Sequence, residues 1–264
     1  MFVDGKKISE SIKKELQGRI RTLGRRLVLA VVQVGSDAAT EKFIERKKKF
    51  GEAVGVTVVV HRFPSDVAED VLAAEVRAIG EDSRVSGLIV QLPLPLEINA
   101  DVVLDSIPPE KDVDALSSSS RVLAPVAGAL AEIFSRYGID PHGKRAVVVG
   151  QGRLVGKPVA DWLLKNGALV EVVSLETREQ MRSLIKRADI IVSGAGVPRL
   201  ITPELIKNGV VLIDAGTSES GGKLVGDIDP ACAEKAALYT PVPGGVGPIT
   251  VAKLFENLVV LATA

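Results

Sequence analysis

The sequence predicts an α/β protein of two α/β domains, the second a Rossmann-like doubly wound parallel sheet, with a cleft between them. Three observations carry that expectation. Short runs rich in Val, Ile and Leu alternate with segments whose apolar residues recur at helical spacing, along most of the 264 residues. Residues 145–158, RAVVVGQGRLVGKP, read as a buried strand, a tight glycine turn and the start of a helix. The serine run Ser117, Ser118, Ser119, Ser120 interrupts the alternation and marks a domain edge or mobile loop. On this reading residues 1–138, completed by a terminal helix over 249–264, form one domain, and residues 139–248 form a dinucleotide-binding domain.

From the start, Ile8, Ile12, Leu16 and Ile20 give a helix over 8–24 one apolar face. Residues 27–34 are almost uninterruptedly apolar, hence a central strand. Gly35, Ser36 and Asp37 turn the chain and cap a helix over 38–54. Its apolar stripe of Phe43, Phe50 and Val54 is broken by Lys47. An ammonium on such a stripe is costly without a partner, and desolvation lowers its pKa. The alternative is a lysine snorkelling at the edge beside Lys48 and Lys49. A strand over 56–62, a helix over 67–79 with Val71, Ala74, Val76 and Ile79 inward, and a strand over 86–90 follow. Gln91 ends that strand, and Leu92-Pro93-Leu94-Pro95 stops further pairing. A polar amide there sits where open α/β sheets hold ligands, and equally suits a glutamine bonded to its own loop. After a short helix over 99–106, Lys111-Asp112-Val113-Asp114 brings two aspartates that would face one way if extended, and that also suit a turn.

A helix over 127–137 leads to the strand 146–149 and to Gly150, Gly152 and Gly156. Their G-x-G-x-x-x-G spacing is one residue longer than the usual dinucleotide fingerprint, and alone it fits a plain strand-to-helix turn as well. Val155, Val159, Trp162 and Leu163 continue at helical spacing. A helix start behind glycines lets backbone N–H groups meet a phosphate. Glu176, after the next apolar run, stands where a ribose 2′-hydroxyl would be held, and the two features together point to a dinucleotide. Segments 169–174, 178–187, 189–193, 203–207 and 210–214 keep alternating, with Gly194, Gly196 and Gly216 just past strand ends. A short strand over 239–242 precedes Pro243-Gly244-Gly245-Val246-Gly247-Pro248, a stiff loop open to close approach by a ligand, and a helix over 250–261 ends the chain.

Composition narrows the function. The 33 basic and 33 acidic residues cancel and aromatics are only 3%, which removes the basic surface and stacking platforms of a nucleic-acid binder. No uncharged apolar run reaches about 18 residues, so no membrane span is expected. The start lacks an apolar signal core. The single Cys232 excludes an internal disulfide, and with His61 and His142 far apart no metal site is expected. A reducing, cytoplasmic setting fits.

Nine stretches then combine. They are VGS at 34–36, the helix bearing Lys47, GLIVQLPLP at 87–95, PPEKDVD at 108–114, VVVGQGRLVGKP at 147–158, ADIIVSGAG at 188–196, IDAG at 213–216, VGDID at 225–229 and TPVPGGVGPIT at 240–250. In this order, over nearly the whole chain, they resemble the methylenetetrahydrofolate dehydrogenase/cyclohydrolase family. QLPLP, KDVD and TPVPGGVGP are the specific segments; the glycine turn is not. The resemblance implies oxidation of 5,10-methylenetetrahydrofolate to the methenyl form with NADP or NAD, then hydrolysis to 10-formyltetrahydrofolate. It makes residues 1–138 the folate-binding catalytic domain, and it implies a homodimer through the cofactor domain.

The resemblance also assigns residues. Lys47, Gln91 and Asp114 would be catalytic. Phe43, Leu92, Pro93, Pro243, Gly244, Gly245 and Pro248 would line the substrate. Gly150, Gly152, Arg153, Gly156, Pro158, Glu176, Gly194, Gly196, Gly216, Thr217 and Gly247 would hold the cofactor. Departures from the family pattern carry their own expectations. Phe43 stands in place of the tyrosine of a Tyr-x-x-x-Lys pair, and the lost hydroxyl weakens the case for the hydrolase. Ala115-Leu116 replace Gly-Phe, Ala124-Pro125-Val126 replace Cys-Thr-Pro, and Thr217-Ser218 replace Ile-Asn. Glu176 would repel a 2′-phosphate and favours NAD, which Arg153 or Arg178 could offset. The rival readings are a monofunctional dehydrogenase, a non-catalytic dinucleotide-binding protein and a shikimate-type dehydrogenase.

Overall fold

The computed structural model describes residues 1–36, 38–174, 177–220 and 222–264. The chain forms two compact units: Glu10–Pro125 with Val251–Ala264, here the lysine unit, and Val126–Thr250 with Met1–Ser9, here the glycine unit. The division falls between Pro125 and Val126, after the first residue of the helix Pro125–Tyr137.

The lysine unit is built on a three-stranded parallel sheet. Its middle strand β1 (Leu27–Val34) pairs with β2 (Val56–Phe63) on one side and β3 (Gly87–Val90) on the other. Leu27 faces Val56 and Leu29 faces Gly87, so the three carboxyl ends lie at one edge. Parallel sheets of this kind are covered, and Leu27, Leu29, Ala30, Val31 and Val32 are fully buried. Around it lie α1 (Gly5–Leu23), α2 (Ala38–Val54), α3 (Glu69–Glu81) and α4 (Ala100–Leu104). Ala30, Val32, Leu72, Val76, Leu88, Val103 and Leu104 share one core cluster.

Two helical faces differ from the expected ones. On α2 the buried residue is Ile44, with no exposed area, while Phe43 is 39% exposed. The residue that packs is one position on, which turns the Lys47 face toward the edge of the core rather than its centre. On α3 Leu72, Val76 and Gly80 are buried and Val71 is exposed. Gly80 belongs to that stripe because a Cβ there would lie 2.4 Å from Pro108.

The glycine unit holds a five-stranded parallel sheet in the order β10-β7-β6-β4-β5. These strands are β4 (Arg145–Val149), β5 (Leu169–Val173), β6 (Ile190–Ser193), β7 (Val211–Asp214) and β10 (Leu238–Tyr239). Phe2 bridges Tyr239 in parallel and extends the edge. Helices α5 (Pro125–Tyr137), α6 (Gly156–Lys165) and α7 (Arg178–Ile185) complete the alternation. Val147, Val149, Ile191 and Leu212 meet Met181, Ile185, Ile201 and Cys232 in its core.

Several local expectations are corrected. β5 is an edge strand, so its apolar Leu169 and Val172 are exposed rather than buried. β10 ends at Tyr239 because Pro241, two residues on, has no N–H to give a ladder. Residues 203–207 make only a short 3-10 turn, Pro203–Leu205. An antiparallel hairpin, β8 (Ser218–Ser220) with β9 (Lys223–Val225), was not expected. The last helix, α8 (Val246–Thr263), starts inside the proline–glycine loop. Pro248 is its third residue, where a helix needs no N–H donor from it. By length and composition α8 could cross a membrane, but half of it is buried in the protein and it carries a Lys253–Glu256 ion pair.

Candidate active site

In the lysine unit, Ile44 pins α2 to the core and Lys47 follows three residues later. The Gln91 N–H donates to the Val32 carbonyl at 2.8 Å, so Gln91 continues the edge of β3 beyond Val90. Its side-chain nitrogen donates to the Leu92 carbonyl at 2.8 Å. That contact turns the amide oxygen outward, and Lys47 Nζ donates to it at 2.8 Å. Lys47 is thus neither a core cation nor a lysine snorkelling free at the stripe's edge. Burial lowers its pKa below the usual lysine value, and the charge of Asp114 restores part of it.

The KDVD segment runs beside β3, with the Leu88 N–H donating to the Lys111 carbonyl at 2.7 Å. Its two aspartates part company. Asp112 is fully buried and accepts from Leu116 N (3.3 Å), Ser117 N (2.9 Å) and Ser117 Oγ (2.7 Å). It closes the turn, which makes the first serine of the run a buried anchor and not a loose loop residue. Asp114 stays partly exposed and interacts with Lys47 through charge. Burial raises its carboxyl, Lys47 pulls it back, and Asp112 pushes it up again. Asn257 on α8 donates to the Val113 and Leu123 carbonyls, both at 2.9 Å, and closes the loop between them. Phe43 sits one turn before Lys47 with the Arg46 guanidinium 5.6 Å from its ring centroid.

In the glycine unit the glycines of the expected cofactor loop divide into two kinds. Gly150 (φ +105°), Gly156 and Gly194 are needed for close packing of the chain on itself. A Cβ at these positions would lie 2.7 Å from the Gly194 oxygen, 2.1 Å from the Gly150 oxygen and 2.4 Å from the Val155 side chain, respectively. Among the described residues nothing lies within 4 Å of a Cβ at Gly152, Gly196 or Gly247, and their backbone is bare. The bare backbone at Gly152, just ahead of α6, whose N-cap has no side-chain hydrogen bond, fits a bound dinucleotide phosphate. Arg153 and Pro158 border this turn, and Thr217 is exposed after β7. Glu176 lies outside the described residues. Pro243, Gly244, Gly245 and Pro248 belong to this unit, not to the unit of Lys47. Gly244 (φ +104°) accepts from the Gly5 N–H at 2.9 Å, so the N-terminal segment braces that loop.

Sequence reasoning missed two buried aspartates here. Asp227 has no exposed area and accepts from Ser193 Oγ (2.8 Å) and from Ala195, Gly196 and Val197 N–H (2.7, 3.2 and 2.9 Å). Asp214 accepts from Gly216 (3.1 Å), Asp227 (3.2 Å) and Ile228 (2.9 Å) N–H. A Cβ on Gly216 would fall 2.1 Å from the Asp227 carboxyl carbon, so that glycine makes room for Asp227. Burial pushes the Asp214 carboxyl up to about 7, against the pull of its three backbone donors. The available signal was an aspartate closing each apolar run, in IDAG and VGDID.

Residues 3–114 match the family model for the tetrahydrofolate dehydrogenase/cyclohydrolase catalytic domain, and residues 124–264 match that for its NAD(P)-binding domain. The bifunctional protein FolD of Nautilia profundicola is 39% identical, over 98% of this chain and 95% of the relative. The crystal structure of the bifunctional FolD methylenetetrahydrofolate dehydrogenase/cyclohydrolase from Campylobacter jejuni superposes with a TM-score of 0.94. It is 34% identical, over 100% of this chain and 98% of the other. The Trypanosoma brucei enzyme, solved with NADP and an inhibitor, gives 0.93 at 33% identity, over 100% and 97%.

Proposed function

This chain belongs to the tetrahydrofolate dehydrogenase/cyclohydrolase family, and from that premise we propose that it oxidises 5,10-methylenetetrahydrofolate with NAD(P) and hydrolyses the methenyl product to 10-formyltetrahydrofolate. The observation that carries the reading is the Lys47–Gln91 hydrogen bond of 2.8 Å, made by an amine whose pKa burial has lowered.

The methenyl group is a cation attacked by water, and the step needs a proton acceptor that is neutral near physiological pH. An ordinary lysine is not; a desolvated one approaches that condition. Water adds to the methenyl carbon, and one of its protons passes to the neutral Lys47 amine. The bond from that carbon to N5 then breaks as the new hydroxyl passes its proton to N5 and becomes the formyl C=O on N10, and the proton on Lys47 is released to solvent. Gln91 fixes where the amine points. Asp114 accepts from the N–H groups of the pterin ring and sets its orientation, a contribution of geometry rather than of proton transfer. Phe43, Leu92 and Pro93 give the ring apolar contact.

A bound nicotinamide would supply the hydride acceptor for the oxidation. The groups that would hold the dinucleotide are the open backbone at Gly152, Gly196 and Gly247, with Gly150 and Gly156 shaping the turn. Arg153, Pro158, Gly194, Gly216 and Thr217 complete that surface. Glu176 favours NAD, since its charge repels a 2′-phosphate. Pro243, Gly244, Gly245 and Pro248 contribute to the substrate wall. We assign folate binding and catalysis to the lysine unit and dinucleotide binding to the glycine unit. A homodimer through the latter and a cytoplasmic setting complete the proposal, the second supported by the single, unpaired Cys232.

The test is a parallel assay of purified protein with methylenetetrahydrofolate and either NAD or NADP. Reduced cofactor should accumulate faster with NAD, and the methenyl product should then decay. No reduction with either cofactor overturns the proposal. A second reading, a dehydrogenase with a weak hydrolase, is favoured by the missing hydroxyl at Phe43. Phe43→Tyr should then raise methenyl hydrolysis about tenfold, the worth of one added hydrogen bond in the transition state, and leave oxidation unchanged. Unchanged hydrolysis removes that second reading.

A further inference from the structure

We infer that Asp227 is a positioning residue for the dinucleotide: its carboxylate holds the loop after β6 in the shape that the cofactor meets. The inference rests on the dinucleotide reading of the glycine unit. Three consecutive N–H groups, Ala195, Gly196 and Val197, all turn inward to this one carboxylate, and the Ser193 hydroxyl joins them. Consecutive N–H groups around an anion form the same concavity that elsewhere receives a phosphate. Here the anion is the chain's own.

Two consequences follow from the geometry. With its N–H groups committed inward, the loop presents bare backbone on its other side, at Gly196 (φ +69°), where no described residue lies within 4 Å of a Cβ. It therefore offers the cofactor shape but not N–H donors, the Gly196 carbonyl being taken by Ser218 Oγ at 2.9 Å, and the donors for the pyrophosphate must come from the turn over 150–156. Asp227 is itself held, since its N–H and that of Ile228 donate to Asp214. Asp214 also receives the Gly216 N–H, and its own N–H donates to Thr240 Oγ1 at 2.6 Å. The loops after β6 and β7, adjacent strands in the sheet, are thereby tied to one another through two carboxylates.

Asparagine at 227 keeps the volume but replaces one acceptor oxygen by an amide that opposes the N–H donors. The hydrolysis step uses no dinucleotide, and Lys47, Gln91 and Asp114 lie in the lysine unit. The Asp227 side chain bonds Ser193 and residues 195–197, and its N–H bonds Asp214, rather than the substrate wall at 243–248, so hydrolysis serves as an internal control. Wild-type protein, Asp227→Asn and Ser193→Ala are compared by calorimetric titration with NAD and with NADP, and by methenyl hydrolysis. For Asp227→Asn we expect Kd for the preferred dinucleotide to rise at least tenfold with hydrolysis within twofold. Ser193→Ala, which loses one bond of four, should raise Kd about threefold. A folded Asp227→Asn that binds as the wild type overturns the inference. If Asp227→Asn does not fold, Ser193→Ala decides: a raised Kd supports the inference and an unchanged one overturns it. Wild-type protein that binds neither dinucleotide instead overturns the dinucleotide reading beneath it.

Discussion

Buried ionisable groups of the two units are finished differently, Asp112 of the lysine unit excepted: with three hydrogen bonds it is as complete as the aspartates of the glycine unit. In the glycine unit, Asp227 receives four hydrogen bonds and Asp214 three. In the lysine unit, Lys47 uses one of its three donors, toward Gln91, and Asp114 answers it only through charge. A buried polar group without its full set of partners is expensive, so chains keep such groups where something else completes them. The complete set is scaffold, and the incomplete one is where a ligand belongs. The difference teaches that burial of a charge does not by itself mark a site; the unfilled valence beside it does.

The hardest test of that contrast removes the amine. Lys47→Met keeps the length and apolar stem but no proton acceptor. Hydrolysis should fall by roughly 10²–10⁴-fold, the usual worth of a positioned acid or base. Thermal stability should stay level or rise, because a poorly partnered buried charge is replaced by an apolar group. In the wild type, hydrolysis should increase with pH through a value below the ordinary lysine pKa, as the amine becomes neutral. Survival of hydrolysis within tenfold in the variant would sink the assignment.

In the glycine unit the corresponding effect is on stability, not turnover. The folded Asp214 carboxyl sits near 7 against an ordinary 3.8. Between those values the folded chain holds a proton that the unfolded chain does not. The stability this supplies is fully present below about pH 4 and is lost as pH rises through about 7, by up to about 4 kcal/mol. Lys47 runs the other way, since its depressed pKa makes the folded state less costly as pH rises through it. Urea unfolding at pH 5 and pH 8 should show the Asp214 contribution, and Asp214→Asn should flatten that slope while lowering stability at both. An unaltered slope in the variant would assign the effect to other groups.

The contrast also explains what was legible in the sequence. Lys47 stood out because it breaks an apolar stripe, and Gln91 because a polar amide closes an apolar strand. Both signals are local and survive the error over which helix residue packs, Ile44 or Phe43. The doubly wound sheet was legible for the same reason, in runs of Val and Ile separated by helical spacing. Asp214 and Asp227 were not legible as a pair, because 13 residues and a hairpin separate them and each alone resembles a strand-end turn residue. The two kinds of glycine were equally invisible: Gly150 and Gly152 differ only in what the fold brings near them. Edge position hid β5 as well, since an apolar run reads as buried whether or not a sixth strand covers it.

The smallest expected effect concerns backbone. Ala115, directly after Asp114, holds φ +55°, where a side chain with Cβ is disfavoured by about 1–2 kcal/mol. Ala115→Gly removes that strain and gives back part of the gain through the looser unfolded chain, for a net stabilisation of about 0.5–1 kcal/mol. A higher urea midpoint with an unchanged slope would register it, and a lower midpoint would show that the methyl contributes more by packing than it costs in conformation. The lysine unit tolerates this methyl because Ala115 is only partly buried. The glycine unit has no such latitude at Gly150, where φ is +105° and the Gly194 carbonyl waits 2.7 Å from any Cβ. The glycine unit does hold a non-glycine residue in that region, Arg199 at φ +53°, so what forbids a side chain at Gly150 is the neighbouring carbonyl and not φ alone.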